Sequence, residues 1–554
     1  MELSRTVAGA IAKTLHGMGA RYCFGVMGTA NYKISYALQE FGVKIIAARH
    51  EGNAATMADA YSKATGELTL LSVHSGPGLT NALTGIGEAA KSKTPMVILA
   101  GDVPRGNTTN NFYFDQAAMA QSVGAVAERI HTPHTALADT VRAVTRAMRD
   151  RQTVLLSLPT DVQDSEMPGD VVAPQVTDKV EPSAPNAAAV DRLADKLASA
   201  QRPLIIAGRG AVISGAEQSL EALAELSGAL LATTVCGHGY FKNNPFSIGI
   251  SGGFSSDTAG KLIEESDLLI GFGASFTKWT TKNGKLIKPG TVVAQVDIDA
   301  ARLGFQRRLD FAIHGDATAT ANALIAALKA RGSEKKGRRT EAVKKQISAG
   351  TFYNEIYNDQ STEEYIDPRT VSKAVDKILP ENRTVASDAG HFMAWVPSYF
   401  RVPDARASCL PFSFQSVGLG MGSAIGLALS QPDRLSVLTT GDGGFYMSIA
   451  DLETAVRLGL NMCIFVYDDA AYGAEVHHFR RLGLDIELAR FPPTDIAAAA
   501  RGLGAQAITV RSLADLAPLE KWVSDGAKGV FLVDAKINPD FEANWHKEYA
   551  SYAH

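Results

Sequence analysis

Two aspartates, Asp442 and Asp469, bracket the segment that most restricts how this chain can fold. A strand-like run, Leu435 to Thr440, enters the turn Gly441-Asp442-Gly443-Gly444-Phe445. An amphipathic stretch follows, then the apolar run Met462-Cys463-Ile464-Phe465-Val466-Tyr467 and the pair Asp468-Asp469. This order predicts a strand–turn–helix–strand unit. If the two strands are parallel neighbours, each ends in a carboxylate at the sheet edge where α/β proteins bind ligands. The glycines let a phosphate approach the backbone, and the helix N-terminus after them favours negative charge. Two oxygen ligands beside a phosphate cradle suit Mg2+, which keeps phosphate oxygens and water in its shell. A generic βαβ turn with capping aspartates is the alternative reading of the same residues.

The 554 residues predict three or four domains. Net charge is −4, which argues against a nucleic-acid or anionic-membrane partner. No apolar run reaches the roughly 20 residues of a membrane-spanning helix. The start, Met1-Glu2-Leu3-Ser4-Arg5, lacks the basic-then-apolar order of a signal peptide. Cys23, Cys236, Cys409 and Cys463 are scattered without metal or disulfide spacing, so a cytoplasmic location is expected. Two composition shifts divide the chain: Gln163 to Asn186, rich in Pro, Asp, Ser and Val, and the basic run Arg331 to Lys345. The basic run reads as a solvated linker or surface helix, because no aromatic residue is interleaved. The expected domains are 1–170, 187–330 and 360–554. Each alternates short β-branched runs with amphipathic helices, so the fold class is α/β with three doubly wound parallel sheets.

Gly441-Asp442-Gly443, with Asp469 placed 27 residues after Asp442, resembles a thiamine diphosphate (ThDP) motif. The superfamily concerned includes acetolactate synthases, benzoylformate decarboxylases and pyruvate decarboxylases. Its motif is Gly-Asp-Gly, a spacer, then usually Asn-Asn. The resemblance covers essentially the whole chain. It implies a pyrimidine-binding ThDP domain at 1–170, a Rossmann-like central domain, and a diphosphate- and Mg2+-binding ThDP domain at 360–554. By the resemblance, Asp442, the side chain of Asp469 and the Ala471 carbonyl bind Mg2+. Gly441, Gly443, Gly444, Tyr472 and Gly473 complete that side of the cofactor site. The chain departs from the pattern in having Asp468-Asp469, and a second negative charge near a diphosphate requires compensation.

The segment Lys44 to Ala55 runs from a short strand through Arg49-His50-Glu51 into a small-residue helix. Glu51 read alone is a helix N-terminal acid, worth a fraction of a kcal/mol, ~0.3–1. The resemblance instead implies that it hydrogen-bonds the aminopyrimidine N1′ of ThDP, which leads to the C2 ylid. Ser72-Val73-His74-Ser75-Gly76-Pro77-Gly78-Leu79-Thr80-Asn81 resembles the family's turn after a buried strand. Benzoylformate decarboxylases carry a catalytic histidine where His74 stands, although a lone histidine beside a glycine turn is otherwise usually structural. Phe24-Gly25-Val26-Met27-Gly28-Thr29-Ala30-Asn31 aligns with the family's Phe-Gly-x-Pro-Gly loop. Thr29 and Asn31 are candidate substrate contacts there, with a simple turn as the alternative. In Phe112-Tyr113-Phe114-Asp115-Gln116, either Asp115 or Gln116 stands in for the synthases' active-site glutamine.

The middle block has a strand ending at Gly208-Arg209-Gly210 and another ending at Gly271-Phe272-Gly273. The matching domain binds FAD in acetolactate synthases and ADP in oxalyl-CoA decarboxylases. No complete Gly-x-Gly-x-x-Gly fingerprint is present, so neither FAD nor ADP is expected. In the third block, the resemblance gives Gly390 and His391 to the diphosphate. It gives Val417 the apolar wedge that bends ThDP, and the Gln415 carbonyl the 4′-amino group. Close helix packing is the other reading of that glycine-dense stretch. Glu475 stands where pyruvate decarboxylases place a catalytic glutamate. His478 shares its helix face and is a candidate substrate contact, while the pair His477-His478 also reads as an exposed helix face.

The expected function is a ThDP- and Mg2+-dependent lyase or decarboxylase that forms a C2 ylid and an enamine. Its substrate is a 2-oxo acid or a related acyloin or 2-hydroxyacyl compound. An acetolactate-synthase-like carboligase is the alternative. A catalytically silent regulatory subunit is a third reading, opposed by intact Glu51 and Asp442. A homodimer or dimer of dimers is expected, with the active site shared between chains.

Overall fold

The computed structural model describes residues 3–175, 180–333 and 337–550. Parts of both composition breaks, 176–179 and 334–336, therefore lie outside the described residues. The basic run ends inside the helix Glu341–Ala349.

Three six-stranded sheets, every pairing parallel, account for the alternating pattern of the sequence. The first contains β1 (Tyr22–Gly25), β2 (Lys44–Ala47), β3 (Thr69–Val73), β4 (Met96–Asp102), β5 (Val126–Arg129) and β6 (Thr153–Pro159), in the order β2-β1-β3-β4-β6-β5. The second contains β7 (Pro203–Ala207), β8 (Leu230–Thr233), β9 (Ser247–Ile250), β10 (Leu268–Phe272), β11 (Val292–Asp297) and β12 (Phe311–His314), in the order β12-β11-β10-β7-β8-β9. The third contains β13 (Arg383–Ser387), β14 (Ser408–Cys409), β15 (Leu435–Gly441), β16 (Met462–Asp468), β17 (Gln506–Val510) and β18 (Val530–Lys536), in the order β14-β13-β15-β16-β18-β17.

The first and third sheets thus share one topology. The middle sheet has the strand order of dinucleotide-binding folds. At its switch point, between β7 and β10, a Cβ on Gly208 would overlap the Gly273 backbone, and Gly210 N–H donates to Gly273 O at 3.1 Å. Close packing of two turns accounts for these glycines.

One hydrophobic core spans the first and third sheets. Its centre is the contact between the helix Glu51–Thr65, which follows β2, and the helix Gly420–Ser430, which follows β14. These helices occupy matching places in the shared topology. A Cβ on Gly422 would overlap Thr56 and Asn53, and one on Gly426 would overlap the Met57 carbonyl. Close helix packing is therefore one established use of the glycine-dense stretch. Polar ties add to it: Asn53 Nδ2 donates to Asp451 Oδ2 at 2.8 Å, and Arg49 N–H donates to Asp451 Oδ1 at 2.8 Å.

Candidate active site

Strands β15 and β16 are parallel neighbours in register Gly441↔Tyr467, so Asp442 and Asp469 emerge together at the carboxyl edge of the third sheet. The switch point of that sheet lies between β13 and β15. A cleft opens there, lined by Gly390, His391, Val417, Gly441, Asp442, Gly443, Gly444, Asp469, Ala471, Tyr472, Gly473 and Glu475, among others. Asp442 begins the helix Asp442–Ser448 and is buried. Burial, and then the charge of Asp468, push its carboxyl up to about 7. Burial, Asp442 and Asp468 raise Asp469 well above the usual carboxylate range. Repulsion among these like charges adds to the rise in both carboxyls, and a divalent metal bound between them would relieve it.

Among the described residues, no cluster of three or more His, Cys, Asp or Glu side chains could hold a metal. A centre here needs a backbone oxygen, and Ala471 lies on the same turn as Asp469. Two carboxylates and a carbonyl fit Mg2+ that retains water and phosphate oxygens. Tyr472 N–H donates to Ala489 O at 2.8 Å, and Phe491 N–H donates to Ala470 O at 2.8 Å, which pins that turn. A Cβ on Gly473 would overlap Asp469 Oδ2, so only glycine leaves that carboxylate room.

His391 sits on the opposite wall. Its Nε2 accepts from Ala543 N–H at 2.9 Å, and its carbonyl accepts from Trp545 Nε1–H at 3.0 Å. Burial, followed by the nearby charges of His477 and His546, holds its pKa well below the usual value. The neutral ring therefore carries its proton on Nδ1 as a donor. Asp388 underlies the cleft. It accepts from Ala389 N–H at 2.8 Å, Gly418 N–H at 3.0 Å and Thr440 Oγ1 at 3.3 Å. Burial pushes its carboxyl up to about 6. Gln415 has φ +60, an unusual position for a side chain other than glycine, asparagine or aspartate. Next to it, Phe414 N–H donates to Glu88 Oε2 at 2.7 Å.

Glu475 is exposed on the helix Gly473–Arg481, at the mouth of the cleft. His478 is half-buried. His477 is buried, 4.7 Å from His391 between ring centroids, so the double histidine is not an exposed face.

The second group of residues lies on the carboxyl edge of the first sheet. Glu51 opens its helix, and Asn81 Nδ2 donates to Glu51 Oε2 at 3.2 Å. His74 Nδ1 donates to Ser75 O at 2.7 Å, which leaves Nε2 to accept from Thr29 Oγ1 at 3.2 Å. Phe112 packs edge-on against His74, with ring centroids 5.0 Å apart.

Asn31 differs from expectation. It is fully buried, and its amide donates to Val26 O at 3.1 Å and Ser72 Oγ at 2.9 Å. It braces the loop from behind and does not face a substrate. Gln116 is likewise buried, with its amide donating to Gly101 O at 2.9 Å. Asp115 caps the helix Gln116–Ser122 through Ala118 N–H at 2.9 Å.

Lys536 escaped the sequence reading, while Asp388 and Asn81 stood in turns it read without being given a role of their own. Lys536 pairs with Asp468 at the end of β18. The available signal was the Asp534-Ala535-Lys536 charge pair at the end of the apolar run Val530 to Val533.

Comparison with known proteins agrees with this geometry. Residues 5–123 match the family described as "Thiamine pyrophosphate enzyme, N-terminal TPP binding domain", residues 190–324 match its central domain, and residues 388–535 match its C-terminal TPP binding domain. A "Probable acetolactate synthase large subunit" of Methanocaldococcus jannaschii is 29% identical over 84% of this chain and 80% of its own length. A "Sulfoacetaldehyde acetyltransferase" of Alcaligenes xylosoxydans xylosoxydans is 28% identical over 93% of this chain and 89% of its own. The "Acetolactate synthase large subunit" of Lactococcus lactis subsp. lactis is 27% identical over 84% and 80%.

Proposed function

The chain belongs to the thiamine pyrophosphate enzymes, and from that premise we propose a Mg2+-dependent ThDP enzyme that cleaves the C–C bond beside a carbonyl. The substrate class is a 2-oxo acid or a related acyloin or 2-hydroxyacyl compound. The observation that carries the reading is the division of chemistry between two sheet edges. Asp442 and Asp469 line a glycine-walled cleft on the third sheet, while Glu51 and His74 stand on the first. Among the described residues, those lining the cleft run from 389 to 537, and none of them belongs to the first sheet.

Asp442, Asp469 and the Ala471 carbonyl would hold the metal. Gly390, His391 through Nδ1–H, Gly441, Gly443, Gly444, Tyr472 and Gly473 would hold the diphosphate. Val417 and the Gln415 carbonyl would shape the coenzyme between its rings. When bound, the thiazolium supplies an electron sink beside the substrate carbonyl. Glu51 faces the pyrimidine end. Asn81 occupies one of its oxygens, which leaves the other to share a proton with the ring. His74 offers Nε2, already aligned by its Nδ1–H bond to Ser75 and reached by the Thr29 hydroxyl. Glu475, at the cleft mouth, is the acid on the other wall. Asn31 and Gln116 position their loops.

The two edges meet one coenzyme in a homodimer, or a dimer of dimers, in which the first sheet of one chain faces the third sheet of its partner. Exposed apolar side chains rim both edges: Met27, Phe112 and Tyr113 on the first, and Val417, Met447, Tyr472 and Phe491 on the third. Exposed apolar side chains on both edges suit such a contact.

Carboligation is the second reading, favoured by relatives named as acetolactate synthases and acetyltransferases. The test is incubation with ThDP, Mg2+ and a panel of 2-oxo acids and 2-hydroxyacyl thioesters, with and without an aldehyde or oxo acceptor. Products are identified by mass spectrometry. Cleavage without acceptor supports the lyase, and a longer product only with acceptor supports the ligase. No coenzyme-dependent turnover on any substrate contradicts both. Among the described residues no helix is long and apolar enough to cross a membrane.

A further inference from the structure

We propose that Lys536 is the positioning residue that allows this chain to carry Asp468-Asp469 beside its metal site. It neutralises Asp468 and leaves Asp469 as the single carboxylate of the pair that faces the cleft. The proposal rests on the ThDP and Mg2+ reading of that cleft.

Three neighbouring strand ends bring four carboxylates together: Asp442 after β15, Asp468 and Asp469 at β16, and Asp534 on β18. Among the described residues, the cation paired with this group is Lys536. Lys536 is aligned with Asp468 across the β16–β18 register, and its ammonium pairs with Asp468. It also reaches Asp534 Oδ2 at 3.1 Å and donates to Thr494 O at 3.0 Å. Its three N–H groups are thereby used. The side chains of Lys536, Asp468 and Asp534 are 10%, 4% and 0% exposed, so water screens this cluster little.

Asp468 itself does not line the cleft. Its Oδ1 accepts from Ala470 N–H at 2.9 Å and braces Ala470 at φ +52, on the turn that presents Asp469 and Ala471. An asparagine could make that brace through its own Oδ1. Its NH2 would then face the Lys536 ammonium, donor against donor. Asp468 and Lys536 are therefore interdependent: either can be made neutral only if the other is.

The test compares wild type with D468N, K536M, the double variant and K536R. Calorimetry gives the Mg2+ dissociation constant at saturating ThDP and the ThDP constant at saturating Mg2+. The thermal midpoint without coenzyme reports the fold. D468N leaves the Lys536 charge balanced by Asp534 alone and is expected to weaken Mg2+ about tenfold, although asparagine is the usual family residue. K536M leaves Asp468 unpaired beside the diphosphate and is expected to weaken ThDP about tenfold. The double variant recovers both constants to within about threefold of wild type, and K536R preserves them. Losses that add in the double variant overturn the proposal. So do midpoints that fall while both constants stay unchanged, because that pattern belongs to a purely structural ion pair. If K536M does not fold, D468N decides: an unchanged Mg2+ constant overturns the proposal. Absence of Mg2+-dependent ThDP binding in the wild type overturns the reading of the cleft, and the proposal with it. Wild-type binding with uncoupled variants overturns the proposal alone.

Discussion

Asp388 shapes the cleft from below, and its buried carboxyl, pushed up to about 6, makes a signed prediction. The unfolded carboxyl titrates near 3.9, so between about pH 4 and 6 the folded state holds a proton that the unfolded state has lost. Asp388 therefore costs stability progressively as pH rises through that window, and the cost is constant above it. Asp388→Asn lacks this titration. Its thermal midpoint, measured against wild type, should climb from about pH 4 to about pH 6 and then run parallel. A constant offset across that range would contradict the burial argument. Glu51→Gln tests the other edge. It should leave the fold intact and slow exchange of the coenzyme C2 proton by a factor on the order of a hundred or more. Exchange at the wild-type rate, followed by NMR, would remove Glu51 from its assigned role. Residues such as Glu51 and Asp442 were legible in the sequence because their neighbours in the chain form their motif. Asp388 was not, because its partner Gly418 lies 30 residues away. Asn31 and Gln116 stand in the right loops, but burial, which the sequence does not display, turns their amides inward.

At the scale of elements, the alternating pattern was enough to give three parallel sheets. The apolar run Met462 to Tyr467 became a fully buried strand, whereas the edge strand Lys44–Ala47 is only partly buried. The identical strand order of the first and third sheets was hidden, because their matching helices share only small residues at the contact. There the helices Glu51–Thr65 and Gly420–Ser430 approach through glycine. Gly426→Ala would drive a methyl group into the Met57 carbonyl and should cost about 1–3 kcal/mol, read as a fall in thermal midpoint. The contrast is Gly502→Ala, where a Cβ meets nothing within 4 Å on the helix Ile496–Gly502. That substitution should be neutral or stabilise by up to about 1 kcal/mol. Equal effects at the two positions would contradict the packing account.

The whole molecule joins its first and third sheets through one core, yet its proposed catalytic groups remain on separate edges. The motifs alone indicated that Glu51 and Asp442 must serve one coenzyme, because the family pattern assigns them to its opposite ends. What the sequence could not display was that the described residues lining the cleft beside Asp442 all come from the third block. The proposed function therefore takes Glu51 from a partner subunit, and a count of sites tests it. Glu51→Ala and Asp442→Ala chains, each inactive alone, are co-expressed with different tags. In a mixed dimer one shared site carries both lesions and the other carries none. Random pairing makes about half the dimers mixed, so about a quarter of wild-type activity should return under two-fold symmetry. No recovered activity, with mixed dimers isolated through both tags, would show that the site is built within one chain.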